Sequence, residues 1–392
     1  MPKLRFFTAG ESHGQGLVGT LEGLPANTVI SIDKINHQLW RRQQGYGRGR
    51  RMQIESDKAQ ILTGVRHGKS LGSPISLFIE NRDWKNWEKI MAVEGEDPGK
   101  KLVEVPRPGH ADLSGAIKYN QTDMRNILER ASARETTTRV ALGAIARQFI
   151  DGLGIGIASH VLQIADVKSE KSLIRYGSPQ WDIDLQELNE RADNSPVRCI
   201  DSQAEAEMIA LIDKAKEERD TCGGIFEVAA YNLPVGLGSH VHWDRRLDAQ
   251  IAAAMMGIQA MKGVEIGDGF GGACRFGSQV HDEIYYREDS AHFYRKQNNA
   301  GGLEGGITNG MPLVVRVAMK PIATLMRPLD SVELESKKPV KAHVERSDVT
   351  AVPAAAVIGE AMLALVLADA VLDKFGGDSF EEVENRYLEW IK

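Results

Sequence analysis

The sequence predicts an α+β fold, and two observations carry that reading. Strand-like runs come in adjacent groups between long helical stretches, instead of alternating one with one as a parallel βαβ sheet requires. No repeat of solenoid period runs through the chain. The 392 residues, 42% hydrophobic and 26% charged, suffice for one large core. We expect a single domain over 1–392, with a polar excursion around 168–222.

The totals also exclude function classes. A net charge of −6 argues against a general nucleic-acid binder, so basic clusters are local features. Cys199, Cys222 and Cys274 show no paired spacing, which points to reduced thiols and a cytoplasmic location, with no zinc site. Too few apolar residues follow Met1–Leu4 for a signal peptide. The most apolar run, Ala354–Ala368, is shorter than a bilayer span and carries Glu360; it reads as a buried core helix, and no membrane contact is expected.

Taken in order, Leu4–Thr8 and Leu17–Leu21 read as strands joined by the loop Gly10-Glu11-Ser12-His13-Gly14-Gln15-Gly16. Its glycines allow a tight turn and close approach to a ligand. His13 there is either an acid/base group or a structural, hydrogen-bonded histidine. Asp33 is expected to cap a helix running to Trp40. The following run, Arg41 to Arg51, interleaves arginine with glycine and offers planar anion-binding heads. Ile61–Val65 and Pro74–Glu80 read as strands, and 85–101 as a charged, irregular insertion. Gly95–Lys100 is one residue short of a phosphate loop and lacks its following Ser/Thr.

The segment Arg107–Arg147 concentrates Arg107, His110, Asp112, Arg125, Arg130, Arg134 and Arg139. Ser132-Ala133-Arg134-Glu135 fits a capping box, Ser132 as N-cap and Glu135 reaching back to it. That predicts a helix from Ser132 carrying Val140, Ala144, Arg147 and Phe149. A cation in the first turn is disfavoured by about 0.3–1 kcal/mol. Arg130 and Arg134 therefore suggest an anion on the free N–H groups of that helix start; the alternative is pairing with Glu129, Glu135 or Asp123.

Further on, Ile157–Ala165, Ile225–Tyr231, Ser239–His242 and Leu313–Met319 read as strands, and Gln203–Glu218 and Arg246–Lys262 as helices. His240 and His242 would share a strand face, but without a third ligand they do not make a metal site. Gly267–Gly272 matches GxGxxG, yet no helix follows to receive a pyrophosphate, so it reads as a tight turn. Asn298–Gly310, with five glycines, reads as a flexible loop. Arg346-Ser347-Asp348 precedes a helix with Pro353 near its start and Gly376 near its end.

Seven motifs in order, GESHGQG (Gly10–Gly16), GYGRGRRM (Gly45–Met52), RPGHAD (Arg107–Asp112), RASARET (Arg130–Thr136), GVEIGDGF (Gly263–Phe270), NAGGLEGGIT (Asn299–Thr308) and Arg346–Asp348, make the chain resemble the chorismate synthase family over nearly its whole length. The resemblance implies a β-α-β sandwich, central helices packed between antiparallel sheets, assembled as a homotetramer. It implies conversion of 5-enolpyruvylshikimate 3-phosphate to chorismate and phosphate, requiring reduced FMN. Carried over by motif, Arg42, Arg48, Arg51, Arg107 and Arg134, with Ser132, would bind the substrate's anions. His13 would act on the leaving phosphate, His110 would protonate the reduced flavin, and Asp348 would assist proton removal. Arg130, Ala131, Ser132, Gln259, Ala260, Gly305, Lys320, Pro321, Ile322, Ala323, Thr324 and Arg346 would line FMN. Where many relatives carry Thr-Ser-like residues after Lys-Pro, this chain has Ile322-Ala323-Thr324, leaving open which hydroxyl meets the flavin.

No nicotinamide-binding motif survives inspection, so an external flavin reductant is expected, with NADPH acting only indirectly. The competing reading is a nucleotide- or RNA-binding protein using the Arg48 loop; anaerobic binding of reduced FMN and the absence of RNA retention separate the two.

Overall fold

The computed structural model describes residues 3–49, 56–96, 98–174, 184–288, 292–345 and 347–392. Two antiparallel sheets form its outer layers. The first comprises β1 (Arg5–Ala9), β2 (Gly16–Glu22), β3 (Ala59–Ile61) and, after the hairpin β4 (Val65–Arg66) and β5 (Lys69–Ser70), β6 (Ile75–Glu80), in the order β1-β2-β6-β3. The second takes β7 (Gly156–Ile164), β8 (Val167–Lys168), β9 (Gly224–Tyr231) and β10 (Met261–Ile266). After the hairpins β11 (Ile284–Arg287) with β12 (His292–Arg295) and β13 (Leu303–Glu304) with β14 (Ile307–Thr308), it is completed by β15 (Leu313–Met319). Its order is β10-β15-β9-β7-β8. A last hairpin pairs β16 (Asp330–Val332) with β17 (Pro339–Lys341).

The helices are α1 (Ile32–Gln43), α2 (Asp112–Tyr119), α3 (Arg125–Ala131), α4 (Thr136–Asp151), α5 (Leu188–Asp193), α6 (Ser202–Glu217), α7 (Leu247–Met256), α8 (Val352–Phe375) and α9 (Phe380–Ile391), besides shorter helical turns. Apolar faces decide their layers. The first sheet rests on α4, where a Cβ at Gly19 would stand 2.4 Å from Thr138 Cγ2. The second rests on α8, where a Cβ at Gly359 would stand 2.8 Å from the Phe226 ring. Helices α4 and α8 then cross at Gly143, whose missing Cβ leaves room for the Ala361 backbone. The result is sheet, helix, helix, sheet around one apolar cluster that includes Leu21, Leu142, Leu363 and Val228. The α+β reading and the sandwich both hold.

Among the described residues one helix, α8, is long and apolar enough to cross a membrane, yet 89% of its most apolar stretch is buried inside the fold. Its one acidic interruption within the apolar stretch, Glu360, is 1% exposed and tied to three arginines. Arg41 reaches it from α1 (2.7 Å), Arg147 from α4 (2.5 Å) and Arg198 from the loop after α5 (3.4 Å), while Ser159 of β7 donates at 2.5 Å. Burial alone would raise this carboxyl, but the three guanidiniums hold it far below the ordinary carboxylate range. Removing one partner of such a cluster leaves buried uncompensated charge, the costly case.

Several local expectations need correction. Ser31, not Asp33, caps α1, accepting the Lys34 N–H. The capping box at Ser132 is half present. Ser132 accepts the Arg134 N–H and caps a 3-10 turn, with α4 proper starting at Thr136. Glu135 does not reach back; it accepts from Thr8 Oγ1 (2.6 Å), Gln259 Nε2 (3.0 Å) and Arg139 Nε (3.0 Å), and a full positive charge outcompetes a backbone amide. Ser239–His242 is not a strand, so His240 and His242 share no strand face, and His242 Nδ1 sits against Asp244. Arg246–Lys262 splits: α7 stops at Met256, and Met261 opens β10. Asn298–Gly310 is no open loop; β13 and β14 fold it back, with buried Asn298 donating to Pro312 O.

Candidate active site

The loop from β1 to β2 brings His13 to the C-terminal half of α3. Its Nδ1 lies 2.8 Å from Glu129 Oε1, and its backbone N–H donates to Glu129 Oε2 at 2.8 Å. The Trp87 ring stacks on the imidazole at 3.8 Å between centroids, inclined 24°. Burial would raise the Glu129 carboxyl, but the His13 hydrogen bond and charge, with Arg125, bring it below its ordinary value. The carboxylate thus fixes which ring nitrogen is engaged, the usual way a histidine is oriented for proton transfer at the other.

A second centre lies at the start of α2. Arg107 grips the fully buried Asp112 through Nε (2.8 Å) and Nη2 (3.1 Å), and His110 Nδ1 lies 2.5 Å from Asp112 Oδ1. Burial opposes ionisation of Asp112, but His110 and Arg107 hold it well below the carboxylate range. Arg107 Nη1 also donates to Thr324 Oγ1 at 2.9 Å. A cavity of about 700 Å³ opens beside this loop, walled by Leu113, Ile117 and Val332.

The third group is arginine-rich. Arg134 donates through Nη1 to Asp57 (2.6 Å) and through Nε to Asn81 (3.0 Å). Its partner is none of Glu129, Glu135 or Asp123. Arg42 lies 3.8 Å from Asp57 and donates to Thr136 Oγ1 and Ala133 O. Arg48 Nη1 meets Asp348 at 3.1 Å, and Gly49 N–H donates to the same carboxylate at 2.6 Å. Burial, and then repulsion by Arg48 and Arg134, pull the Arg42 guanidinium down to about 9 despite Asp57. Arg48 Nε is buried without a hydrogen-bond partner. Among the described residues, these three largely buried guanidiniums gather around Asp57 and Asp348, and such a cluster of planar donors suits an anionic ligand.

These centres join. Asn81 donates to Glu11 O and Gly14 O while accepting from Arg134, and Ser132 Oγ lies 3.3 Å from Ser12 Oγ. Arg130, half exposed, donates to Thr8 and Gly10 and stands 3.7 Å from Glu135. Glu135 holds Gln259, Ala260 O accepts the Lys320 N–H, and Lys320 Nζ donates to Gly109 O. Ser347 donates to Thr324 O beside Asp348. One continuous strip thus runs from Arg130 to His110. Ala131 ends α3 and Ser132 begins the turn beside it, while Pro321, Ile322 and Ala323 lie on the segment between Lys320 and Thr324.

Gly305 is not on that strip. It turns the β13–β14 hairpin, whose Gly306 O accepts the N–H of Leu247 at the start of α7, whereas Gln259 follows the other end of α7. Ten helical residues separate those ends by about 15 Å. Arg51 and Arg346 lie outside the described residues. Sequence reasoning missed Asp57, Asn81, Trp87 and Glu129 as site residues; none carries a motif, and only spatial proximity identifies them. Among the described residues no group of three or more His, Cys, Asp or Glu forms a metal site.

The chorismate synthase family model matches residues 4–372. A chorismate synthase of Aquifex aeolicus (strain VF5) is 58% identical, covering 99% of this chain and 97% of that protein. One of Carboxydothermus hydrogenoformans is 54% identical, covering 99% and 98%. A solved crystal structure of chorismate synthase superposes with a TM-score of 0.79 at 49% identity, covering 99% of this chain and 97% of that one.

Proposed function

We propose the reaction from one premise: the chain belongs to the chorismate synthase family and is therefore an enzyme, a lyase of the shikimate pathway. The substrate in this reading is 5-enolpyruvylshikimate 3-phosphate, converted by 1,4-elimination. The C–O bond to phosphate breaks with its electron pair, a ring C–H bond loses its proton, and a second ring double bond forms. The carrying observation is the convergence of Arg42, Arg48 and Arg134, three largely buried guanidiniums, around Asp57 and Asp348 beside the His13 loop. A ligand with two carboxylates and a phosphate matches the planar, paired donors of such a cluster.

His13, whose ring Nδ1 is held by Glu129, is the group proposed to hydrogen-bond or protonate the departing phosphate. Arg107 is spent on Asp112, Thr324 and His110, so its part is to hold His110 in place more than to grip substrate. Asp348, beside Arg48, is the group proposed to assist proton removal.

Reduced FMN fits the strip from Arg130 to Thr324. Gln259 Oε1 is buried without a donor, and a flavin ring offers N–H donors of the kind it lacks. Arg130, Ala131, Ser132, Gln259, Ala260 and Lys320–Thr324 would hold the cofactor, with Thr324 already bonded to Arg107. When bound, reduced flavin supplies electron density at the reacting ring and is unchanged at the end of turnover. A cytoplasmic homotetramer served by an external flavin reductant, NADPH acting only indirectly, completes the reading. Gly305, at the opposite end of α7 from Gln259, would in that homotetramer line a flavin held by another subunit. The largest apolar cluster, which takes in residues of both sheets, supports one functional unit over 1–392.

The test is anaerobic phosphate release from this substrate with and without reduced FMN. Equal amounts of phosphate and chorismate, only with reduced FMN, are expected; no release in either arm rejects the reading.

A further inference from the structure

We propose that Trp87 is a positioning residue whose indole sets the plane of the His13 imidazole. The two rings stack at 3.8 Å between centroids, inclined 24°. This contact adds what Glu129 does not supply. His13 Nδ1 lies 2.8 Å from one Glu129 oxygen and 3.0 Å from the other. A hydrogen bond shared between two carboxylate oxygens holds Nδ1 but tolerates tilt of the ring, because acceptor directions are broad. The last torsion of a histidine is broad as well, so the side chain does not set its own plane. A flat indole in van der Waals contact removes that freedom. Position and plane together decide where Nε2 points.

The indole is itself held. Its Nε1 donates to Asp83 Oδ2 at 2.9 Å, and the Trp87 backbone N–H donates to Trp84 O at 2.7 Å. Lys101 Nζ stands 3.5 Å from the ring centroid and Arg125 Cζ 5.1 Å, both within reach of the attraction between a cation and an indole face. Arg125 braces both contacts of His13. Its Nη1 donates to Glu129 Oε1 at 3.0 Å, and its Nε donates to Lys101 O at 2.7 Å.

The origin of Trp87 points the same way. Among the described residues between Asn81 and Val103 it alone is buried, yet it has a place in none of the three apolar clusters. A tryptophan that only anchored this stretch would sit among apolar side chains. Trp87 sits against a histidine, a lysine and an arginine instead. The catalytic consequence rests on the role proposed above for His13; the contact itself does not.

The experiment compares Trp87→Leu, which stays apolar but loses the plane, with Trp87→Phe, which keeps it. In anaerobic phosphate release from 5-enolpyruvylshikimate 3-phosphate with reduced FMN, Trp87→Leu should lower kcat on the order of 10-fold or more and leave KM within about twofold. Trp87→Phe should stay close to the parent. In a His13→Gln background Trp87→Leu should lower turnover no further, because no imidazole is left to position. The contact is read apart from turnover by nuclear magnetic resonance of the full chain labelled with ¹³C-histidine, at one fixed pH, without substrate or flavin. Stacking on an indole moves the His13 ring protons upfield, with the signals assigned by His13→Gln. Trp87→Leu should abolish that displacement, and Trp87→Phe should keep part of it. His13 signals unmoved in Trp87→Leu, equal losses of turnover in the two variants, or a further loss in the His13→Gln background overturn the proposal. A parent that releases no phosphate, or a His13→Gln chain that matches it, fails the function proposed above instead, and the ring-proton signals still decide the contact.

Discussion

Glu129 holds His13 twice, through the imidazole Nδ1 and through the backbone N–H of the same residue, each at 2.8 Å. The carboxylate therefore sets the rotamer of the ring and the path of the loop that carries it. Glu129→Gln keeps the shape and removes the charge that favours imidazolium. Turnover should fall on the order of 10²-fold or more, with substrate affinity little changed. Steady-state phosphate release checks this; turnover near the parent's would reduce Glu129 to a scaffold residue.

Arg48 stands at the edge of the arginine cluster, 3.1 Å from Asp348 and with a buried Nε lacking a hydrogen-bond partner. Arg48→Ala should weaken substrate binding by about 2–5 kcal/mol, measured by calorimetry under anaerobic conditions. Binding within twofold of the parent, with the fold intact, would remove Arg48 from the substrate site.

Glu360 belongs to stability, not chemistry. Glu360→Ala leaves Arg41 and Arg198 sharing Asp193 and Arg147 with Asp151 at 4.0 Å, three guanidiniums short of their common buried anion. Urea unfolding should show a loss of about 3–5 kcal/mol. A loss under 1 kcal/mol would mean that water or rearranged partners reach the three guanidiniums.

Glu227 in β9 makes a pH prediction. Burial would raise it, but the hydrogen bond and charge of His160, then Arg316 and the Leu173 N–H, hold it at about 2 against an ordinary 4.5. A depressed carboxyl contributes stability that is present above its unfolded value and is lost as pH falls through the folded one. The parent should thus lose stability progressively from about 4.5 towards 2. Glu227→Gln should start less stable and flatten that slope, as read from denaturant midpoints against pH. An unchanged slope would assign the acid sensitivity elsewhere.

Flavin reduction makes the last prediction. Gly267–Gly272 forms a tight turn and one short helical turn, with no long helix to receive a pyrophosphate. With oxidised FMN, substrate and NADPH as sole reductant, the purified protein should form little chorismate under anaerobic conditions. Sustained formation near the rate seen with chemically reduced FMN would show that the chain reduces its own flavin.

Much of the fold was legible in the residues. Leu313–Met319 coincides with β15, because a strand buried on both faces must be an apolar run. Pro353 and Gly376 bracket α8, because proline suits a helix start and glycine its end. Less legible were the places where two local rules compete. Glu135 satisfies the capping-box pattern yet spends its charge on Arg139, Gln259 and Thr8, since the fold delivers a cation and two other donors to it.

By itself the sequence determined the composition of the layers, the positions of the histidine and arginine loops, and the family. Only the tertiary structure decided which charges meet. Glu360 reads as an interruption in an apolar helix until Arg41, 319 positions earlier, is brought to 2.7 Å. Arg134 has acidic neighbours in sequence, but its partner is Asp57, 77 positions away. A buried charge is tolerated only with a partner of opposite sign at contact distance, and that distance depends on how sheets and helices stack, not on spacing along the chain.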